Sequence, residues 1–243
     1  MKTLFLAWQA PTTRAWYPIG RLDADVANAT YEFRYTRGAL FASRADGFHP
    51  ISSFPDLRTR YKSAELFPLF QNRVVDSSRR SFSDYLRSLG LGDDADPIQI
   101  LAVSGGERQT DDFEIFPKLE VDASGRFSSR FFIHGLRHLT LAAQERAFAL
   151  RDGEELRVAC EYGNPVAGKA LLVLSNDYLT VGWSPRYLAK DLIEAGDSCD
   201  NFRASVIRNN GDAPISRRVL VELSGAVPKG YVPMSSAEFL DIE

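Results

Sequence analysis

The chain has 243 residues, of which 44% are hydrophobic, 12% aromatic and 25% charged. That is enough apolar material for one large domain or two small ones, each with a core of its own. Twenty-nine Lys and Arg against 32 Asp and Glu give a net charge of −3, which excludes a protein that coats nucleic acid by bulk positive charge but leaves room for a local basic groove. Two cysteines, Cys160 and Cys199, and three histidines, His49, His134 and His138, are too few for a disulfide framework or for a cysteine- or histidine-built metal site.

Residues Met1–Ala10 are apolar for only a short stretch, without the longer run and cleavage site of a secretory signal, and no apolar run approaches the roughly 18–20 residues that span a bilayer. The expected setting is a reducing cytoplasm with no membrane association. There Cys160, after Val158 and Ala159, reads as a buried small residue.

In chain order, Leu4–Trp8 and Tyr17–Leu22 have strand-like content, and Thr30–Tyr35 alternates with the period of two of a half-buried strand. The character changes over Ser63–Leu91. Phe82, Tyr85, Leu86 and Leu89 recur on one face of a helix, with Ser81 as an N-cap candidate and Gly90 as a stop. Between Leu91 and Ala123 nine acids face only Arg108 and Lys118, a local charge of −7. These acids stand among loop signals such as Gly92-Asp93-Asp94-Ala95-Asp96-Pro97, and they lack the glycine and distant glutamate of a calcium loop. From Arg126 to Arg151 five arginines oppose Glu145, a local charge of +4. Strand-like segments follow at Glu155–Tyr162, Ala170–Ser175 and Thr180–Trp183, then a short helix at Pro185–Ala195. Two further strands fall at Phe202–Arg208 and Arg217–Leu223. Many short strands with one short helix predict a small barrel. The expected class is α+β and β-rich, divided into a module over 1–122, a barrel over 126–225 and a C-terminal extension over 226–243.

Motifs that carry chemistry are scarce. Gly163–Ala170 nearly fits a phosphate loop, but Ala170 lacks the hydroxyl that holds magnesium, and Leu171-Leu172-Val173-Leu174 reads as a strand where a helix should start. A β-hairpin connection is the better reading. No Gly-x-Ser-x-Gly, His-Glu-x-x-His, Cys-x-x-Cys or dinucleotide fingerprint occurs, so no catalytic residue, metal site or cofactor is assigned. Arg130, Arg137, Lys169 and Arg186 could supply phosphate contacts, while His138, Trp183 and Tyr187 offer rings. Cations interleaved with aromatics are what sequence-tolerant single-strand binding requires. The competing reading places Trp183 and Tyr187 in the core, and treats the arginines, with Arg58, Arg60, Lys62, Arg73, Arg79 and Arg80, as ordinary solvated surface.

Two resemblances bear on these residues. Pro18-Ile19-Gly20-Arg21-Leu22, Thr30–Tyr35 and Ala64–Arg73 resemble the N-terminal subdomain of the HipA-family kinases, with Ala64–Arg73 similar to that family's apolar helix. Ile98–Val103 and Ile115–Pro117 are similar to its later strands. That subdomain is an accessory that packs on a kinase body, so the resemblance implies protein docking and no kinase activity. Gly135-Leu136-Arg137-His138, Leu150–Tyr162, Asn164-Pro165 and Val181–Ala189 resemble a HIRAN domain. This implies an OB-like or SH3-like barrel that holds the 3′ end of single-stranded DNA, with Arg137, His138 and Asn164 at matching positions. Val166-Ala167 depart from the family, which carries a residue, often aromatic, and then an aspartate at these two places.

The resulting expectation is a non-catalytic DNA-binding accessory protein. Its candidate contacts are Arg130, Arg137, His138, Asn164, Lys169, Arg186 and Tyr187. A nuclease, helicase or kinase-like partner would supply the chemistry, in a bacterial defence or toxin–antitoxin setting. The alternatives are an antitoxin-like interaction module without DNA binding, and a hydrolase with an unrecognised site.

Overall fold

The structure, a computed structural model, describes residues 1–243 apart from 109, 165–167 and 197–198. The fold is α+β and β-rich, with two antiparallel sheets. By packing, the chain divides into a first unit of residues 1–87, 91–118 and 234–243 and a second of 88–90 and 119–233. The last ten residues, which the sequence suggests are part of an extension, therefore pack in the first unit.

The first unit contains β1 (Lys2–Gln9), β2 (Trp16–Asp25), β3 (Thr30–Tyr35), α1 (Arg37–Asp46), β4 (Tyr61–Ser63), α2 (Pro68–Gln71), most of α3 (Phe82–Ser88), α4 (Pro97–Ser104) and β5 (Phe113–Pro117). Its strands lie in the order β4-β3-β2-β1-β5. Alternation in β3 buries Tyr31, Phe33 and Tyr35 and leaves Glu32 and Arg34 half-buried on the other face. Phe33 stacks on Phe54 with centroids 4.2 Å apart. The Tyr35 hydroxyl donates to the Phe54 carbonyl at 2.9 Å and accepts from the Ile51 amide at 2.7 Å, so this buried phenol is satisfied. Each such ring contributes about 2–3 kcal/mol by burial.

The stretch Ile98–Val103 corrects the sequence reading, because it lies in α4 and is not a strand. Asp96 is the N-cap, accepting from the Gln99 amide at 2.8 Å while the Gln99 side chain accepts from the Asp96 amide at 2.8 Å. Pro97 occupies the first turn and Gly105, at φ 71°, ends the helix. Ala64–Arg73 holds only the single turn of α2, not an extended helix.

The C-terminal residues complete this unit. Phe239 meets Phe5 edge-on at 4.9 Å. Arg34 bonds Asp241 at 2.8 Å as well as Asp23 and Glu32, and Arg60 bonds Asp241 at 3.2 Å. Arg58 donates to the Glu243 carbonyl.

The second unit contains β6 (Arg126–Phe132), α5 (Leu141–Phe148), β7 (Glu155–Asn164), β8 (Gly168–Leu174), β9 (Thr180–Trp183), α6 (Arg186–Ala195), β10 (Arg203–Asn209) and β11 (Val219–Ala226). The sheet order is β6-β11-β10-β7-β8-β9. The barrel expected from the sequence is not closed. Among the described residues the outer strands meet through one bridge, at which His134, just past β6, and Trp183 exchange backbone bonds of 2.9 and 3.0 Å. Leu171, Val173, Val181 and Val221 form part of the buried core. Within Gly163–Ala170, Gly163 and Asn164 end β7 and Gly168–Ala170 begin β8, which pairs antiparallel with β7, so a strand and not a helix stands where the phosphate-loop helix would start.

Cys160 is not a lone buried thiol. It forms a disulfide with Cys199, 39 residues away, at a Cα separation of 6.0 Å within the usual range for such a bond. No helix among the described residues is long and apolar enough to cross a membrane.

Candidate functional site

The bridge between His134 and Trp183 also builds the candidate surface. Two glycines permit it. At Gly182, φ 138°, a Cβ would sit 2.1 Å from Ile133 Cγ2 and 2.6 Å from the His134 carbonyl. At Gly135, φ 78°, a Cβ would sit 2.4 Å from the Trp183 ring. Glycine at 135 thus lets the turn that follows, a 3₁₀ segment over Leu136–His138, lie against the indole. Leu136 is buried, while Arg137 and His138 are exposed.

Trp183 is half-buried and is held by its polar edge. Its Nε1 donates to Glu161 Oε2 at 2.9 Å, and Asn164 Nδ2 donates to the same oxygen at 2.9 Å. Glu161 thereby fixes the ring and the end of β7 together, leaving the carboxylate partly satisfied inside the sheet. Arg137 Nε donates to His138 Nε2 at 3.1 Å, which requires the neutral imidazole as acceptor. Arg186 begins α6, is exposed, and has no carboxylate partner among the described residues. The first turn of α6 carries no acid, so its positive end reinforces the guanidinium.

His134 keeps exposed surface, yet desolvation by the surrounding protein, and then the Arg186 charge, lower its pKa from the ordinary 6.5 to about 4. The imidazole is therefore neutral at neutral pH and adds no cation to the surface.

The sequence-derived residues do not all meet. Arg137, His138, Asn164 and Arg186 gather around Trp183 and the His134 bridge. Arg130 lies about four residues up β6, roughly 13 Å along the strand, where it bonds Glu222 at 2.8 Å and the Gly90 carbonyl at 3.3 Å. Its charge is used within the unit. Lys169 is exposed opposite Tyr162, in the same alternation as Cys160 and Leu171. It therefore occupies the opposite face of the hairpin from Glu161 and Trp183. Tyr187 is half-buried on α6. Pro165, Val166 and Ala167 lie outside the described residues. Glu161 is a site residue that the sequence does not mark. Its only advance sign is a carboxylate in a strand next to the hairpin, and only the tertiary fold puts Trp183 beside it.

The acidic middle has ordinary structural uses. Asp96 caps α4, Asp111 bonds Arg73 at 2.5 Å, and Asp122 accepts from the Ser124 and Arg126 amides at 2.8 and 2.9 Å. No group of three or more His, Cys, Asp or Glu among the described residues could hold a metal ion.

No family model matches the chain, and no curated protein or solved structure matches it.

Proposed function

We propose that the second unit binds single-stranded or end-containing DNA on the Trp183 surface. The chain would act as a non-catalytic accessory whose first unit docks the partner protein that supplies the chemistry. The observation that carries this reading is an indole held in place by Glu161, with the turn that bears exposed Arg137 lying against it through Gly135 and exposed Arg186 three residues beyond it, close enough for its charge to act on His134. Phosphates need such cations, and bases stack on such rings at roughly 1–3 kcal/mol each. The resemblance of this half to a HIRAN domain and of the first half to the HipA N-terminal subdomain adds the expectation of a DNA end and of a protein partner such as a nuclease, helicase or kinase-like subunit.

The test is a fluorescence-anisotropy titration of the full chain with oligothymidylates whose 3′ ends are free or blocked. Salt-sensitive binding is expected, with Arg137→Ala weakening it about tenfold. Blocking the 3′ end weakens binding further if the surface reads an end. No binding, or binding untouched by Arg137→Ala, overturns the proposal.

A further inference from the structure

The β8–β9 loop carries a second ring on the same face of the sheet as Trp183. Tyr178 is 67% exposed, large for an aromatic side chain, and its backbone sits at φ 64°, a region that non-glycine residues enter at a cost. The loop is held in this conformation at several points. The Tyr178 amide donates to the Ser175 carbonyl at 2.9 Å, and the Ser175 amide to the Leu179 carbonyl at 2.9 Å. Asn176 Nδ2 donates to the Glu155 carbonyl on β7 at 3.1 Å, and Arg146 Nε donates to Asp177 at 3.0 Å. These anchors hold a strained backbone whose ring stays in solvent.

Arg157 stands with its guanidinium carbon 4.8 Å from the Tyr178 ring centroid. It is exposed, and no carboxylate pairs with it among the described residues. The nearby acid Asp177 is taken up by Arg146, which also bonds Glu154. Register fixes where this pair lies. Ala159 is opposite Leu172, and Leu172 is opposite Trp183, so these three share a face. Arg157, two residues before Ala159, shares it too. Two residues along β7 and two strand spacings across the sheet separate Arg157 from Trp183 by about 12 Å in the backbone. At roughly 3.4 Å per nucleotide in a stacked strand, more when extended, that is a span of a few nucleotides.

We infer that Arg157 and Tyr178 form a second stacking station for a single-stranded polynucleotide, which runs across β7–β9 from the Trp183 surface. The guanidinium would take a phosphate while the ring takes a base. The inference rests on the DNA-binding reading above, and the test separates the two.

Anisotropy titrations of the full chain with 5′-labelled oligothymidylates of about two and about ten nucleotides give the readout. The short strand spans the Trp183 station alone, and the longer one reaches both. Tyr178→Ala and Arg157→Ala should each weaken the longer strand about tenfold and leave the short strand unchanged, whereas Arg137→Ala weakens both. Tyr178→Phe, which keeps the ring, should bind like the wild type, with circular dichroism confirming the fold of every variant. If Tyr178→Ala and Arg157→Ala bind the longer strand as tightly as wild type while Arg137→Ala is weakened, the second station is wrong and the Trp183 surface stands. Loss of binding in Tyr178→Phe equal to that in Tyr178→Ala also overturns the station. If the wild type binds neither strand, both readings fail.

Discussion

Arg73 belongs to the first unit and Arg137 to the second. Each is a basic residue beside apolar neighbours in the sequence, yet the fold uses them in opposite ways. The Arg73 side chain is 1% exposed. It donates to the Leu69 carbonyl at 3.1 Å, to the Gly106 carbonyl at 2.8 Å and to Asp111 at 2.5 Å, and it lies 5.6 Å from the Phe113 ring centroid. This corrects its reading as solvated surface. Arg137 is exposed and meets only the neighbouring His138 among the described residues. Arg34 of the first unit is likewise matched, to Asp23, Glu32 and Asp241. Around Trp183 the second unit leaves cations in water, where a phosphate can reach them. A local positive count therefore says little until each charge has been matched to its partner.

The largest effect that would sharpen this contrast is on stability. Arg73→Ala strands the Asp111 carboxylate and two carbonyls and should cost about 3 kcal/mol or more. Arg137→Ala should stay within about 0.5 kcal/mol of wild type. Urea unfolding followed by circular dichroism measures both, and equal losses would break the comparison. Next in size is Gly135→Ala, which drives a Cβ into the Trp183 ring at a φ of 78°. A cost of about 1–3 kcal/mol is expected, with a shift in Trp183 emission, and unchanged stability and emission would contradict the packing described.

The smallest effect is on pH dependence, where the two units should differ in their windows. Burial would raise the Asp23 carboxyl, but hydrogen bonds from Thr3 and Arg21 and the charges of Arg21 and Arg34 outweigh it and hold it below 3.8. Its contribution is therefore present above that value and lost as pH falls through the lowered pKa. His134 is depressed towards about 4, so the unfolded chain binds its proton first and stability in the second unit falls as pH drops from about 6.5 towards 4. Because His134 keeps exposed surface, the effect is modest. His134→Gln should flatten the curve between these values, as read from urea midpoints across pH, and an unchanged slope would show that His134 does not set this window.

Much of the local structure is legible in the sequence because its causes are local. The period of two in Thr30–Tyr35 places three rings in the core, and Gly90, at φ 63°, follows α3 as its stop. The capping box of α4 is also local, with Asp96, Pro97, Gln99 and Gly105 all in view, but the apolar run Ile98–Val103 outweighs it when only hydrophobicity is read as strand. Other features depend on residues far apart in sequence. Cys160 meets Cys199, Arg34 meets Asp241 more than 200 residues away, and Trp183 finds Glu161 through sheet register. The candidate site follows the same division. The residue types Arg137, His138 and Arg186 are visible in the sequence, but the separation of Arg130 and Lys169 from them follows only from strand pairing.

The most direct measurement of the central claim is the salt dependence of single-stranded DNA binding by wild type and by the double variant Arg137→Ala/Arg186→Ala. For single strands, each phosphate-neutralising cation contributes about −0.7 to the slope of log K against log salt. A phosphate-binding role for both arginines predicts a slope in the double variant flatter by about 1.4, from two such cations. Affinity should be lower at every salt concentration, with the fold intact by circular dichroism. Equal slopes and equal affinities for the two proteins would contradict it.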